Sequence, residues 1–144
     1  MIVPDVNVLV HAYNSDSPRH AQARPWLERT LGQERPVGLA WVTVLGFIRL
    51  ATNRAVLGNP MTVGAVATVV RTWLNHPRVQ TLVPGDQHGE ILLRFLEGIG
   101  TAGNLTTDAH LAALAIEYQA EIASTDNDFA RFPGLRWFNP FDAR

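Results

Sequence analysis

The chain has 144 residues, of which 47% are hydrophobic, and carries a formal net charge of −1 at pH 7. This length fits one domain, and the near-neutral charge excludes a global basic field that would attract nucleic acid, so any polyanion must meet a local basic patch. Cysteine and lysine are both absent, which excludes disulfides, cysteine zinc sites, Schiff-base chemistry and a phosphate-binding P-loop lysine.

The predicted elements alternate between short apolar strands and amphipathic helices. Strands are predicted at residues 1–3, 37–40, 79–83, 121–124 and 135–138. Helices are predicted at residues 5–13, 20–31, 43–51, 62–74, 87–96 and 108–118, with a break or kink at Pro25 and an N-cap at Thr62. This alternation predicts a single α/β domain over 1–144, with a parallel sheet covered by helices on both faces. Ligands bind such sheets beyond the carboxyl ends of the strands.

The N-terminal segment MIVPDVNVLV has no basic residue and is interrupted by Asp5, which is atypical of a signal peptide. The longest apolar stretch, residues 37–48, is about half the length of a membrane-spanning helix. We therefore expect a soluble, cytoplasmic protein that is neither exported nor inserted into a membrane.

The glycines at residues 98–103 match the dinucleotide-binding pattern GxGxxG. That fingerprint requires a strand directly before it. Here the preceding segment HGEILLRFLE has the spacing of a helix, with Glu90, Arg94 and Glu97 on its polar face. We therefore interpret these glycines as a flexible loop between two helices rather than as a nicotinamide or flavin site.

Three aspartates occupy junctions where a helix begins. Asp5 follows the first strand, Asp126 follows the fourth strand, and Asp108 opens the helix at 108–118. Each can be a simple helix cap, because aspartate accepts hydrogen bonds from the free N–H groups at a helix start. However, Asp5 and Asp108 also lie on core-facing stripes, ahead of Leu9 and Leu111, which favours a shared site over three separate caps.

If the strands are neighbours, these carboxylates converge on one pocket. Two carboxylates about 4 Å apart repel by roughly 4 kcal/mol at an effective dielectric near 20, so protonation or a cation must relieve the repulsion. Oxygen ligands without cysteine favour Mg²⁺, with Mn²⁺ as the alternative, and such an ion suits phosphoryl chemistry. In the segment STDNDF, Asp126 is a candidate ligand, Asp128 a weaker candidate, and Thr125 a hydroxyl that orients a ligand or water.

Three segments carry a resemblance to a known family, in this order along the chain: VPDVNVL at 3–9, TDAHLAALA at 107–115 and STDNDF at 124–129. They resemble the PIN domain and, more narrowly, the VapC toxins of type II VapBC toxin–antitoxin pairs. The resemblance implies a PIN-like three-layer α/β/α fold with a central, mostly parallel sheet of four to five strands. It also implies a Mg²⁺-dependent endoribonuclease that cleaves RNA, forms a homodimer and is inhibited by a cognate VapB antitoxin. Asp5, Asp108 and Asp126 take the family's catalytic, metal-binding positions.

One position departs from the family pattern. The family commonly carries a glutamate in the helix after the second strand, where this chain has Gly46, and no acidic residue occurs between Glu34 and Asp86. The site therefore has three or four carboxylates, with Asp128 as the substitute for the glutamate. Whether it binds one metal or two is left open.

Three functions are compatible with these observations to different degrees. The first is the metal-dependent endoribonuclease toxin. The second is a PIN-like binding module that lost catalysis with the glutamate and acts through its antitoxin. The third, a phosphatase-like hydrolase of phosphate monoesters, is disfavoured by the absence of lysine and of a DxD motif at the first strand.

Other polar residues near the site have two interpretations. Arg49 and Arg54 are predicted near its mouth, either as phosphate contacts or as a solvated helix end. The five histidines show no metal-ligand spacing, and His110 is expected to be a surface residue turned away from Asp108.

Overall fold

The computed structural model describes residues 1–142. Its strands are β1 (Ile2–Pro4), β2 (Val37–Ala40), β3 (Val79–Leu82), β4 (Glu121–Ala123) and β5 (Arg136–Phe138). Its helices are α1 (Val6–Tyr13), α2 (His20–Gly32), α3 (Trp41–Ala51), α4 (Val63–Leu74), α5 (His88–Ile99) and α6 (Thr106–Glu117). Two short 3-10 helices span Gly103–Leu105 and Asn127–Arg131.

The five strands form one sheet in the order β3-β2-β1-β4-β5, and every pairing is parallel. The central strand β1 therefore lies beside β4, with Pro4 opposite Ala123. The backbone N–H of Asp5 continues this pairing by donating to the Ala123 carbonyl at 2.9 Å. The residues that follow β1 and β4 thus emerge side by side at the carboxyl edge, although they are far apart in sequence.

Buried apolar side chains form two cores, one on each face of the sheet. The first core joins the sheet to helices α1 to α4 around Phe47, and the second joins it to α5 and α6 around Phe129. Adjacent residues of β2 divide between them, because Leu39 belongs to the first core and Ala40 to the second. This alternation is the period of two of a strand buried on both faces. The predicted three-layer α/β/α architecture is confirmed.

The sequence predicted the elements well and one local feature wrongly. The N-cap at Thr62 is confirmed, because its side chain accepts a hydrogen bond from the Ala65 N–H at 3.1 Å. Of the break or kink predicted at Pro25, the break is wrong, since α2 continues through this residue from His20 to Gly32. Proline at this position removes only the bond to the carbonyl of Ala21, close to the helix start, and burial of Leu27 further along holds the helix in place.

The glycine segment after α5 is a connection between helices, as predicted. Gly100 ends α5 with φ +80°, and Gly103 has φ +48°. Both angles lie in the left-handed region that glycine adopts without steric cost. Within residues 1–142, no helix combines the length and the apolar composition that a membrane span requires.

Candidate metal centre

Asp5 lies at the end of β1 and caps α1. Its Oδ1 accepts a hydrogen bond from the Val6 N–H at 2.7 Å, and its Oδ2 accepts from Ser124 Oγ at 2.7 Å and from Asn7 Nδ2 at 3.1 Å. The side chain is nearly buried, with 8% exposure. Burial raises the pKa of the Asp5 carboxyl, the charge of Asp126 adds to that rise, and the bonds from Ser124 and Val6 oppose it.

Ser124 joins the ends of β1 and β4. Its hydroxyl, which is fully buried, donates to Asp5 and accepts from Asn7 Nδ2 at 3.1 Å and from the Asp126 N–H at 3.0 Å. Asn7 completes the link, because its Oδ1 accepts from the Thr125 N–H at 3.3 Å. These bonds set the direction in which the chain leaves β4 and therefore the position of Asp126.

Asp126 caps the 3-10 helix at Asn127–Arg131. Its Oδ1 accepts a hydrogen bond from the Asp128 N–H at 2.8 Å, which folds the two carboxylates onto the same side of the turn. One oxygen each from Asp108, Asp126 and Asp128 can be chosen so that all lie within 4.8 Å of one another. Three acidic side chains from two separate elements therefore form a single cluster.

Asp108 lies in the first turn of α6 and is half-buried. Burial is the main cause that raises its pKa to about 6, and the negative charges of Asp5, Asp126 and Asp128 add to it. Since aspartate carboxyls normally titrate near 4, Asp108 in the metal-free cluster loses its proton at a higher pH than an ordinary aspartate does. A cation placed among these oxygens would relieve the same repulsion.

A cavity of about 100 Å³ adjoins the cluster. Asp5, Asp108 and Thr107 contribute polar groups on one side, and the helix α3 contributes Gly46 and Arg49. A Cβ atom at Gly46 would lie 3.1 Å from Val6 Cγ2, so any side chain there would have to displace Val6 by a few tenths of an ångström. Gly46, at the position where the resemblance predicts a glutamate, thus lines the cavity but is closely packed against Val6.

The structure brings together the predicted residues in an arrangement that the sequence described only in part. Asp108 and Asp126 form the close group with Asp128, which the sequence ranked as a weaker candidate. Asp5 lies beside this group, lines the same cavity as Asp108 and acts on it electrostatically. The hydroxyl that contacts Asp5 belongs to Ser124.

Sequence reasoning missed Ser124 and Asn7 as parts of the site. The available signal was Asn7 two residues after Asp5, together with a serine directly after an apolar strand. It also missed a second polar cluster, in which His88 Nδ1 lies 2.9 Å from Glu117 Oε1 and His88 Nε2 lies 2.9 Å from His110 Nδ1. His110 is therefore half-buried between α5 and α6, not a free surface side chain.

The oxygen cluster meets the requirements of a hard divalent ion. Magnesium binds oxygen ligands at about 2.1 Å, so two ligand oxygens on opposite sides of the ion are about 4.2 Å apart. The spacing of up to 4.8 Å among Asp108, Asp126 and Asp128 needs only small side-chain rotations to reach that distance. The donor set contains carboxylates without thiolate, which excludes ions that require soft ligands.

The chain is similar to known proteins over nearly its whole length. A family model described as PIN domain matches residues 2–135. Ribonuclease VapC33 from Mycobacterium tuberculosis is 43% identical over 140 residues, which cover 97% of this chain and 98% of that protein. Ribonuclease VapC37 from the same species is 44% identical over 140 residues, covering 97% of each chain.

Solved structures show the same fold at lower sequence identity. The VapBC-1 structure from nontypeable Haemophilus influenzae superposes with a TM-score of 0.69 at 19% identity, covering 99% of this chain and 100% of that chain. FitAcB from Neisseria gonorrhoeae superposes with a TM-score of 0.66 at 20% identity and the same coverage.

Proposed function

The chain belongs to the PIN-domain family and is an endoribonuclease toxin of the VapC type, and we propose that it hydrolyses RNA at a divalent ion bound by its aspartate cluster. The observation that carries the proposal is the convergence of Asp108, Asp126 and Asp128 beside the buried Asp5. Burial, together with the repulsion among these carboxylates, raises the pKa of Asp108 to about 6, and a bound cation would relieve that repulsion.

Asp5, Asp108 and Asp126 are the proposed catalytic, metal-binding residues, and Asp128 joins them as a ligand. Asp5 is held in one orientation by Ser124 and Val6, so it adds fixed negative charge next to the cavity. Mg²⁺ is the proposed ion, with Mn²⁺ as a substitute, because all donors are hard oxygens. When bound, such an ion polarises a phosphate oxygen and lowers the pKa of a bound water.

The protein's own side chains would orient the substrate around that centre. The cavity between Asp108 and α3 admits a group the size of a phosphate, because its volume is about 100 Å³. Hydrolysis requires water in line with the leaving oxygen, and a neighbouring carboxylate would accept the proton of that water. We propose that only the RNA backbone enters the cavity and that the bases remain outside.

An antitoxin of the VapB type is the proposed protein partner, and the whole chain, 1–144, is taken as one PIN domain in the cytoplasm. The structural neighbours include toxin–antitoxin complexes such as VapBC-1. A homodimer is also proposed. Trp41 and Leu45, one turn apart on α3, are 49% and 61% exposed, which is unusual for such large apolar side chains and is typical of an interface.

The alternative, a binding module that lost catalysis, is not favoured. Loss of metal chemistry would remove any need to keep acidic groups together, yet the cluster retains Asp108, Asp126 and Asp128 despite Gly46. The relatives at 43% and 44% identity are named ribonucleases.

The test is cleavage of single-stranded RNA by purified protein with Mg²⁺, with Mn²⁺ and with EDTA. We expect divalent-dependent cleavage that EDTA abolishes and that Asp108→Asn lowers by at least about 100-fold, the scale of losing a preorganised charged group. The matched control is Asp142→Asn, a carboxylate elsewhere on the surface. Equal cleavage by wild type and Asp108→Asn would show that another site or a contaminant is responsible.

A further inference from the structure

Arg49 is a cation that lines an acidic cavity without pairing with its carboxylates. It lies in the last turn of α3, three residues after Gly46, and both residues face the cavity that Asp5 and Asp108 line from the other side. Among residues 1–142, four ion pairs are formed and none includes Arg49. Its side chain also makes no hydrogen bond with the described residues, and it is exposed at the cavity mouth.

Gly46 explains why this guanidinium is free. Residues three apart on a helix are neighbours, so a glutamate at position 46 would lie within reach of Arg49 and pair with it. Glycine removes that partner, and the cavity separates Arg49 on α3 from the carboxylates. The cavity therefore has negative charge on one side and an unpaired positive charge on the other.

A ligand for this cavity must be an anion, because it would contact Arg49 on one side and a divalent ion bound by the aspartates on the other. A phosphodiester meets this requirement, because one non-bridging oxygen can face a divalent ion while the other accepts hydrogen bonds from a guanidinium. The size agrees as well, since about 100 Å³ is well below the roughly 300–1,000 Å³ of pockets that enclose drug-sized ligands. A phosphate group with a few waters fits this space.

We propose that Arg49 binds a non-bridging oxygen of the scissile RNA phosphodiester and holds that phosphate against the aspartate cluster. This inference rests on the proposed function of the same site. Arg49 thereby supplies, from within the chain, positive charge that the other described residues lining the cavity lack. Because the contact is to the backbone, it acts equally on all RNA sequences.

The experiment compares Arg49→Ala and Arg49→Lys with the control Arg71→Ala. Arg71 is exposed in the last turn of α4, and this turn leads into the amino end of β3, at the opposite edge of the sheet from the site. For each variant, kcat and KM are measured on several single-stranded RNAs. Equilibrium RNA binding is measured separately in Ca²⁺, under conditions in which the RNA stays intact.

We expect Arg49→Ala to lower kcat/KM by about 100-fold on every RNA, since it removes a charged contact to the reacting phosphate. The slope of log affinity against log salt concentration should fall by about 0.7, the value for one lost phosphate contact to a single strand. Arg49→Lys should recover part of the loss, because it restores charge without the planar fork. Arg71→Ala should match the wild type in both assays.

Two results would overturn the assignment. One is an unchanged salt slope together with a kcat/KM within about 3-fold of wild type, on the order of the scatter of surface substitutions. The other is a parallel fall in melting temperature and Mg²⁺ affinity without RNA, which would assign Arg49 to holding the site together. If wild-type protein cleaves no RNA but the salt slope still falls for Arg49→Ala, the proposed hydrolysis fails and the phosphate contact stands.

Discussion

The Ser124 hydroxyl donates a 2.7 Å hydrogen bond to Asp5 Oδ2, joining two residues that are 119 positions apart in the chain. The bond ties the carboxyl end of β4 to that of β1, where the acidic cluster begins. The Ser124 hydroxyl oxygen also accepts a hydrogen bond from the Asp126 N–H, so one buried hydroxyl positions two of the proposed metal-binding aspartates.

Replacing Ser124 by alanine is expected to destabilise the protein by about 1–3 kcal/mol, since it leaves buried polar partners unpaired. The loss should be larger at pH 8 than at pH 4, because the bond from Ser124 favours the ionised form of Asp5. Urea unfolding at the two pH values checks this. The control is Thr125→Ala, one residue along, because the Thr125 side chain makes no hydrogen bond to the described aspartates. A loss for Ser124→Ala no greater than for the control would contradict the assigned role.

Replacing Asp108 by asparagine is expected to stabilise the metal-free protein at pH 7.5, because it removes a charge that burial and three other aspartates oppose. The gain should be roughly 1 kcal/mol after allowance for solvent screening at this half-exposed group, or about 2–4 °C in melting temperature. Mg²⁺ should raise the melting temperature of the wild type and leave that of the variant almost unchanged. A variant that melts below wild type without metal would show that repulsion does not dominate at Asp108.

Metal-free stability should fall as the pH rises from 4 to 7. The pKa of Asp108 is about 6 in the folded protein and higher than in the unfolded chain. A carboxyl of this kind contributes its full stability below the unfolded pKa of about 3.9, and that contribution is lost as the pH passes through the folded pKa. Asp5, whose pKa is also raised, acts in the same direction.

Saturating Mg²⁺ should reduce or abolish that fall in stability. The apparent Mg²⁺ affinity should increase as the pH increases, by up to about tenfold per pH unit below pH 6, and should become constant above pH 7. Calorimetric titration at pH 5, 6, 7 and 8 measures the affinity and the proton released on binding. A constant affinity across this range would mean that no proton leaves Asp108 when the ion binds.

Two substitutions at Gly46 distinguish the effect of adding a side chain from the effect of adding a carboxylate. Gly46→Ala should change stability by less than about 1 kcal/mol, because better helix propensity offsets the 3.1 Å approach of the new Cβ to Val6 Cγ2. Gly46→Glu should, relative to Gly46→Ala, lower the metal-free melting temperature and raise Mg²⁺ affinity by about tenfold, since it adds a carboxylate to the same cavity. Thermal melts with and without Mg²⁺ decide the matter. Identical behaviour of the two variants would place the glutamate outside the metal site.

Local patterns were enough for the elements and for most of the acidic residues. The alternation of strands and helices, the cap at Thr62 and the positions of Asp5, Asp108 and Asp126 at helix starts can all be read within a few residues of each position. Such features depend on backbone periodicity and on N–H groups close in sequence. The break predicted at Pro25 does not occur, because packing of the helix outweighed the lost hydrogen bond.

By itself, then, the sequence determined an α/β domain of the PIN family and a set of aspartates at strand and helix ends. Only the tertiary structure decided that β1 pairs with β4, that Asp128 joins Asp108 and Asp126, that Ser124 holds Asp5, and that Arg49 remains unpaired across a cavity. The physical reason is the distance along the chain over which each kind of interaction acts. Propensity and capping act between neighbours along the chain, whereas convergence of charges depends on which distant strands lie side by side.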